Sequence, residues 1–365
     1  MKSVCIIFLG HFNLDARCIN MAETIINSKK YNLSIINLKH KSLSLQSFKK
    51  ITFFNLTISN AKFFKYYDFH SQAKKIVKTN NFDIIISSDL YSLSAAAGNS
   101  RKLIYDCREI YSELEAHISK PLYKKFWFQY EKYYLRFVNH IIVNAESDKK
   151  KLHRIYKLQN IEIDIIFNFP KYQKYQNNFT LRKKFNIEKK NKIILYQGVV
   201  QKGRGLMRLI KLIQSSNKFT AVVIGDGPNK KIYTEYVNKQ NLKDKVFFIE
   251  AVPYLRLLEY TASADIGWLV INKNSISNQL ALPNKLFEYI LMGLPVLSSN
   301  IKNVALIIKQ FNIGQIVENE SDLVECLTKA ISLSNSSLSA EELHQIASKN
   351  FVWHKQKNNF LDVLI

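Results

Sequence analysis

Short apolar runs alternate with stretches of helical spacing in both halves of this chain, and this alternation restricts the fold more than any other feature. The run from Met1 to Gly10 ends in a glycine and precedes a helical pattern from Cys18 to Ser28. A later apolar strand ends at Tyr196-Gln197-Gly198, and a helix with apolar residues at helical spacing follows. Strands and helices that alternate in this way form parallel sheets covered on both faces, so the sequence predicts doubly wound α/β units.

The length predicts two such units. A single core usually stops growing below the 365 residues of this chain, so we expect two units of roughly 170 to 190 residues each. The polar stretch from Lys171 to Lys192, rich in Lys, Asn and Gln, is the predicted linker.

The segment from Leu282 to Val296 predicts a loop, a short helix and a strand around one carboxylate. Pro283 suits the first helical position, and Gly293 and Pro295 end the helix after about nine residues. The free N–H groups at such a helix start attract a diphosphate, and Glu288 lies where it can accept hydrogen bonds from sugar or ribose hydroxyls. The alternative interpretation is an ordinary capped helix with one solvated glutamate.

Three further segments share this pattern of strand, turn and helix start. They are Lys202-Gly203-Arg204-Gly205-Leu206, Ala221 to Pro228, and Ala264 to Trp268. In this order and spacing the chain resembles the nucleotide-sugar half of the family 4 (group 1) retaining glycosyltransferases with the GT-B fold, from about Ile193 to Val317. The Pro-Asn-Lys form at Pro283 resembles a branch of that family that acts in surface polysaccharide synthesis.

The first half resembles the same family more weakly. The segments concerned are Met1 to Gly10, Tyr105 to Glu109, Ile141 to Ser147, and Ile165 to Pro170. The resemblance implies two Rossmann-like doubly wound domains that face a cleft, with a C-terminal helix crossing back to the first domain. The implied division is an acceptor-binding domain at 1–170, joined by a helix at about 350–365, and a nucleotide-sugar domain at 171–349.

The resemblance also implies the site residues. The donor-binding set is Gly10, Gly198, Lys202, Gly203, Arg204, Gly225, Gly227, Pro283, Asn284, Lys285, Leu286 and Glu288. Glu288 resembles the glutamate that holds the donor ribose, and Arg204 stands where the family usually has a phosphate-binding lysine. Lys285 is consistent with this role, because a cation in the first turn of a helix costs roughly 0.3 to 1 kcal/mol unless an anion lies nearby. The glycines have a second explanation, since ordinary turns also require them.

Three departures from the family pattern bear on the chemistry. Leu280 replaces the sugar-contacting acid eight residues before Glu288, Val199 replaces an arginine, and Arg108 replaces a histidine. Arg108 stays protonated and so cannot act as a base, but it can stabilise phosphate, with Glu109 as a neighbouring acid. We therefore predict Arg108, Glu109 and Arg204 as the catalytic set. Two alternatives stay open: a non-catalytic GT-B subunit that partners another glycosyltransferase, and a sugar-nucleotide epimerase.

The formal net charge of +24 suggests an anionic partner. The excess is spread along the chain without a nucleic-acid-binding motif, so an anionic membrane surface is favoured over nucleic acid. The helix predicted from Pro121 to Val138 is the candidate contact. Its apolar face comprises Leu122, Phe126, Trp127, Tyr130, Tyr133, Tyr134 and Phe137, and the opposite, basic face comprises Lys125, Lys132 and Arg136. A helix at a membrane interface and a helix packed on a sheet both show this layout.

The sequence therefore predicts a glycosyltransferase that moves a sugar from a nucleotide-sugar donor to a glycan or lipid-linked acceptor. No Asp-x-Asp triplet or His-x-x-x-His pair occurs, so we expect neither metal nor cofactor, with protein cations at the diphosphate. Four dispersed cysteines and an apolar N-terminal run that ends by Leu9 predict a reduced, cytoplasmic protein. The basic charge adds the expectation that it is peripheral on the inner face of the membrane.

Overall fold

The computed structural model describes residues 1–39, 48–59, 64–117, 119–336 and 338–365. They form two compact units. The first comprises Met1–Asn168 and Trp353–Ile365, and the second comprises Phe169–Val352.

The first unit is built on a parallel sheet. Its strands, within the described ranges, are β1 Lys2–Ile7, β2 Tyr31–Leu38, β3 Ile51–Leu56, β4 Ile84–Ser87, β5 Lys102–Cys107, β6 His140–Val143 and β7 Glu162–Ile165. They lie in the order β3-β2-β1-β4-β5-β6-β7. The chain thus runs outward in both directions from the β1–β4 pair, which makes that pair the topological switch point of the sheet.

Helices connect these strands. They are α1 Ala16–Ser28, α2 Phe64–Asn80, α3 Leu90–Ala96, α4 Pro121–Tyr134 and α5 Glu146–Tyr156, and a last helix, Lys357–Asp362, returns to this unit. The Asp15 side chain caps α1 by accepting a hydrogen bond from the backbone N–H of Cys18. The returning segment is held by the Trp353 indole N–H, which donates to Thr24 Oγ1 at 2.7 Å, and by Gln356, which bonds both backbone groups of Phe167.

The second unit repeats the plan. Its described strands are β8 Lys192–Gln197, β9 Phe219–Ile224, β10 Val246–Ile249, β11 Ile266–Leu269, β12 Val296–Ser299 and β13 Gly314–Val317. Its helices are α6 Thr180–Phe185, α7 Leu206–Gln214, α8 Lys230–Lys239, α9 Tyr254–Thr261, α10 Ile276–Leu280, α11 Asn284–Leu291, α12 Lys302–Phe311, α13 Leu323–Ser336 and α14 Ala340–Asn350. The parallel order β10-β9-β8-β11-β12-β13 puts the switch point between β8 and β11.

The predicted pair of doubly wound parallel sheets is confirmed. Two local expectations were wrong. Pro283 is the extended residue before α11, with φ −72° and ψ 139°, so the helix has eight residues and begins at Asn284. The predicted linker contains α6, because Leu181 is buried and anchors this short helix in the second unit.

The helix predicted from Pro121 forms as α4 and continues as a 3₁₀ turn, Leu135–Phe137. Trp127 and Leu135 are buried in the core of the first unit, and so is the carboxyl group of Glu131. The predicted apolar face is therefore only partly packed, since Leu122 and Phe126 on it are exposed. Within the described residues, no helix combines the length and the apolar character needed to cross a membrane.

Candidate functional site

The switch point of the second sheet brings together most of the predicted donor-binding residues. The strand β8 ends at Gln197, and α11 lies against β8 and β11 through Tyr289, whose hydroxyl donates to the carbonyl oxygen of Leu195 at 3.0 Å. The carboxyl ends of parallel strands at a switch point form the usual crevice for a ligand in an open α/β sheet. This position sets Glu288, one residue before Tyr289, beside the end of β8.

Glu288 is the centre of a buried hydrogen-bond network. Gln197 Nε2 donates to Glu288 Oε2 at 2.5 Å, and Asn284 Nδ2 donates to Glu288 Oε1 at 2.8 Å. The hydroxyl of Thr261 donates to Gln197 Oε1 at 2.9 Å and so fixes the orientation of that amide. Burial raises the pKa of Glu288 to about 7, although the bonds from Gln197 and Asn284 and the charge of Lys285 oppose this shift. The alternative interpretation, a solvated glutamate, is therefore wrong, because the carboxyl group of Glu288 is buried and held in one orientation.

Lys285 lies beside this carboxyl group in the first turn of α11. Its side chain is buried, and its Nζ atom is 4.4 Å from the centre of the Tyr196 ring, in cation–π contact. Burial and the nearby charge of Arg204 lower the pKa of Lys285 to about 7, against the opposing effect of Glu288. The two cations are therefore close to each other, and an anion placed beside them would favour the charged form of Lys285.

Arg204 and Lys202 belong to the turn between β8 and α7. Arg204 is partly exposed and Lys202 is exposed, and the backbone N–H of Lys202 donates to Asn229 Oδ1 at 2.9 Å. The turn ends at Gly205, which has φ +73° and approaches the chain so closely that a Cβ atom there would lie 1.6 Å from the carbonyl oxygen of Val270. Only glycine fits at this position, and it sets the start of α7 against the neighbouring strand.

The turn after β8, at Gly198, and the turn after β9, at Gly225, pack against each other in the same region. Gly225 follows β9 with φ +148°, and a Cβ atom there would lie 2.0 Å from the carbonyl oxygen of Gly198. A Cβ atom at Gly227 would lie 2.4 Å from the carbonyl oxygen of Val200. The carbonyl oxygen of Gly203 accepts a hydrogen bond from the N–H of Asn272 at 2.8 Å. These glycines hold the turns in contact with one another, which is the turn explanation given above for Gly225 and Gly227.

The remaining donor-binding candidates, at and just before the start of α11, contact the backbone and the core. The carbonyl oxygen of Pro283 accepts a hydrogen bond from the N–H of Leu286 at 3.1 Å, and the Leu286 side chain is fully buried. Leu280 and Val199, the two departures of this unit, lie at the end of α10 and on an exposed turn, where 57% of Val199 is accessible.

Gly10 lies in the first unit, just after β1. Its carbonyl oxygen accepts a hydrogen bond from the N–H of Leu38 at 2.8 Å. In the same loop the N–H of Leu9 donates to Asp89 Oδ2 at 2.6 Å, and Asp89 caps α3 through Ser92. Burial raises the pKa of Asp89, against hydrogen bonds from Leu9 and Ser92. The carboxyl group of Asp89 thus fixes the loop at the switch point of the first sheet.

Arg108, also in the first unit, belongs to a chain of alternating charges. Its guanidinium group contacts Asp106 Oδ2 at 3.0 Å and Asp15, and Arg17 contacts Asp106 from the other side at 2.7 Å. Burial opposes ionisation of Asp15, but the charge of Arg108 and the hydrogen bonds from Arg108 and Cys18 together outweigh it and hold the pKa of Asp15 below its usual range. Two arginines and two aspartates balance each other here. Glu109, the predicted neighbouring acid, is exposed.

The sequence assigned no role to Gln197 and Thr261, which complete the network around Glu288. The sequence did offer one indication for Gln197, which is a polar residue at the end of an otherwise apolar strand. The structure shows that this polar side chain is buried, so it needs hydrogen-bond partners. Thr261 gave no comparable signal. Among the described residues, no group of three or more His, Cys, Asp or Glu side chains could hold a metal ion.

Solved structures share this two-sheet architecture. Sucrose-phosphate synthase from Thermosynechococcus elongatus superposes with a TM-score of 0.76 at 12% identity, covering 100% of this chain and 98% of that one. HepE of Anabaena in complex with UDP-glucose gives 0.76 at 15% identity, covering 100% and 99%, and WaaG, involved in lipopolysaccharide biosynthesis, gives 0.72 at 15%, covering 99% of each chain. The predicted GT-B fold is therefore confirmed.

Family models match both units of the chain. The model described as glycosyl transferases group 1 matches residues 177–350, and the model described as glycosyltransferase family 4 matches residues 48–169. The chain belongs to the group 1 glycosyltransferases of family 4. A glycosyltransferase of Methanocaldococcus jannaschii, itself uncharacterised, is 24% identical over 228 residues, which are 60% of this chain and 52% of that relative. The match thus spans about half the length of that relative.

Proposed function

We propose that this glycosyltransferase moves a sugar from a nucleotide-diphosphate sugar to a glycan or lipid-linked acceptor in surface polysaccharide synthesis. The donor binds in the second unit, at the switch point of its sheet, and the acceptor binds to the first unit. The transfer retains the anomeric configuration and needs no metal ion. The relation to family 4 supports this assignment, as does the similar fold of WaaG, which is involved in lipopolysaccharide biosynthesis.

The observation that carries the proposal is the oriented carboxyl group of Glu288. Gln197 and Asn284 each occupy one of its oxygens, and a carboxylate oxygen with one donor keeps a lone pair for a second. The free lone pairs suit adjacent hydroxyls of a ribose. Because Gln197, Asn284 and Thr261 fix the orientation of the carboxyl group, binding costs little rearrangement of these side chains.

The cations beside Glu288 suit the departing diphosphate. Negative charge grows on the diphosphate as the sugar leaves, and fixed positive charge at that point lowers the barrier. Arg204 supplies a permanent charge with forked donors, and Lys285 supplies a charge that the diphosphate itself stabilises. These two side chains take the role that a divalent ion has in other glycosyl transfers, which supports metal independence.

Donor binding tests the site. Thermal shifts are measured against UDP-, GDP-, ADP-, dTDP- and CMP-sugars, beginning with UDP-glucose, the ligand named for HepE. We expect a shift with one nucleotide family, lost in Glu288→Gln and Lys285→Met. Gln197→Leu should raise the dissociation constant of the donor about tenfold to about 100-fold, since hydrogen bonds to a charged group are worth about 1.5–3 kcal/mol.

The control is Gln214→Leu, in which an exposed glutamine of the same unit, bonded to Gln240, is removed. An equal loss of affinity in both leucine variants would contradict the role of the Gln197 network. No shift with any donor would contradict the proposed function and favour the non-catalytic subunit.

Turnover separates the enzymatic alternatives. A transferase consumes the donor only with an acceptor, whereas an epimerase converts it without one. The anomeric configuration of the product, measured by NMR, tests retention, and activity that persists in excess EDTA supports metal independence.

A further inference from the structure

The exposed side of α4 carries two rows of side chains. The apolar row consists of Leu122, Phe126, Tyr133 and Phe137, and the basic row of Lys125, Lys132 and Arg136, all of them exposed. With about 100° of rotation per residue the rows are neighbours rather than opposite faces, which corrects the arrangement expected from the sequence. Trp127, Glu131 and Leu135 occupy the buried side. We call the two exposed rows the α4 surface.

This surface concentrates exposed apolar groups. Among the described residues, 16 large apolar side chains are exposed, and five of them lie within the 16 positions from Leu122 to Phe137. Leu122 is 83% accessible and Phe126 is 56% accessible. Scattered exposed hydrophobic residues are ordinary, but a contiguous group rimmed by charge marks an interaction site.

The charge of the α4 surface has one sign. The sequence from Lys120 to Phe137 contains one acidic residue, Glu131, and its carboxyl group is buried between the hydroxyls of Tyr105 and Tyr156. Nearby, Lys124 is paired with Glu113 at 2.9 Å, whereas Lys125 and the rest of the basic row face solvent. The partner of this surface is therefore anionic.

A cavity continues the surface at its C-terminal end. It has a volume of about 530 Å³, and its lining includes the apolar residues Leu135, Leu158 and Ile161, the ring of Tyr156 and the basic residues Lys132 and Arg136. Tyr133 belongs both to the cavity and to the apolar row, and the Arg136 guanidinium lies 4.5 Å from the centre of its ring. A cavity lined by both apolar residues and cations matches a molecule with an anionic head and an apolar tail.

We infer that the α4 surface and its cavity bind an anionic phospholipid bilayer. The leucine and phenylalanine side chains of the apolar row enter the lipid boundary, and the lysines hold the phosphate layer while their stems cover apolar surface. A nucleic acid would satisfy the basic row but would leave Leu122 and Phe126 in water. The net charge of +24 attracts the whole protein to the same surface.

Co-sedimentation with vesicles tests the inference. The full chain is mixed with phosphatidylcholine vesicles with and without phosphatidylglycerol, in the absence of any nucleotide sugar, so that the result is independent of donor binding. We expect binding only with phosphatidylglycerol. The triple variant Lys125→Glu, Lys132→Glu, Arg136→Glu should lose on the order of 100-fold in affinity, as expected from the contribution of each basic residue near an anionic membrane.

The charge-matched control is Lys30→Glu, Lys75→Glu, Lys78→Glu, which changes three exposed lysines of the same unit away from α4. Leu122→Ser combined with Phe126→Ser should weaken binding without changing its dependence on salt concentration, because no charge is altered. Ile161→Trp, which fills the cavity, should also weaken binding with unchanged salt dependence. The glutamate and serine variants should keep the wild-type melting temperature, because the side chains that they replace are exposed.

Equal losses in the two triple variants would overturn the inference, since they would reflect net charge alone. Absence of wild-type binding to phosphatidylglycerol vesicles would also overturn it, as would binding to a short RNA that the vesicles do not displace.

Discussion

At the scale of single residues, Arg108 is the clearest case in which the structure changes what a side chain can be asked to do. The sequence suggested a phosphate-stabilising cation, and the structure balances its charge with Asp15 and Asp106. Asp106 is only two residues away, but Asp15 is 93 residues away along the chain, so no local pattern could reveal the pairing of Arg108 with Asp15. The catalytic role of Arg108 stays a prediction, and stability measurements separate it from a structural one.

Replacing Arg108 by methionine should lower the free energy of unfolding by about 3 kcal/mol at neutral pH, because it leaves the Asp15 carboxylate without a cationic partner, whereas Asp106 keeps Arg17. One fifth of the Arg108 and Asp15 side chains is exposed, which places the cost at the low end of the range for buried pairs. In the wild type the pKa of Asp15 is held low, so its stabilising effect is lost as the pH falls. In the variant burial raises that pKa, so the deficit should shrink from pH 7 towards about pH 4.

Urea denaturation at a series of pH values measures this deficit. Arg101→Met is the control, because Arg101 is 89% exposed and 3.7 Å from Asp83, and its loss should cost less than about 0.5 kcal/mol. Unchanged stability together with lost sugar transfer would favour the catalytic role of Arg108 instead.

At the scale of elements, the sequence predicted what forms but not always where it starts or which side is buried. Alternating apolar runs and helical spacing were sufficient for both sheets, because the inner strands bury both of their faces. The start of α11 was misplaced by one residue, since Pro283 fits both the position before a helix and its first position. The buried side of α4 could not be predicted, because Glu131 interrupts the apolar pattern and its partners, Tyr105 and Tyr156, come from other elements. The same limit applies to Gln197 and Thr261 in the candidate site.

The buried carboxyl group of α4 should make the stability of the first unit depend on pH. Burial raises the pKa of Glu131 to about 7 from 4.5, against hydrogen bonds from Tyr156, Tyr105 and Cys107. A carboxyl group whose pKa is raised in the folded state stabilises that state only while it is protonated. Wild-type stability should therefore fall as the pH rises from about 4.5 to about 7. The loss should be about 3 kcal/mol, because each tenfold change in an ionisation constant corresponds to about 1.4 kcal/mol.

Glu131→Gln should remove the part of this slope that Glu131 contributes, because an amide does not titrate and a tyrosine hydroxyl can accept its N–H group. The buried carboxyl groups of Asp89 and Glu288, whose pKa values are also raised, keep their own share of the slope. Chemical denaturation followed by circular dichroism from about pH 4 to about pH 8 measures the slope. Glu146→Gln, at an exposed position on α5, should leave it unchanged. A slope that is undiminished in Glu131→Gln would assign it to other groups.

At the scale of the whole molecule, the chain leaves the first unit after Asn168 and returns to it at Trp353. The core of the first unit is therefore completed by residues that follow the entire second unit in sequence. Trp353 is buried against Phe360 and bonded to Thr24, whereas Phe351, two residues earlier, packs its ring against Phe169, Phe287 and Phe311 of the second unit. Two aromatic side chains that are only two residues apart thus belong to different cores.

Alanine at each of these two positions should loosen a different unit. Removing a buried aromatic ring costs about 3–5 kcal/mol, which raises the exchange rate of amides that open with the affected unit on the order of 100-fold or more. Hydrogen exchange followed by mass spectrometry should show faster exchange in Ala16–Ser28 for Trp353→Ala and in Asn284–Leu291 for Phe351→Ala. Each variant is the control for the other, because both remove a ring within the same short segment. Faster exchange in both units from either change would contradict the assignment of these residues to separate cores.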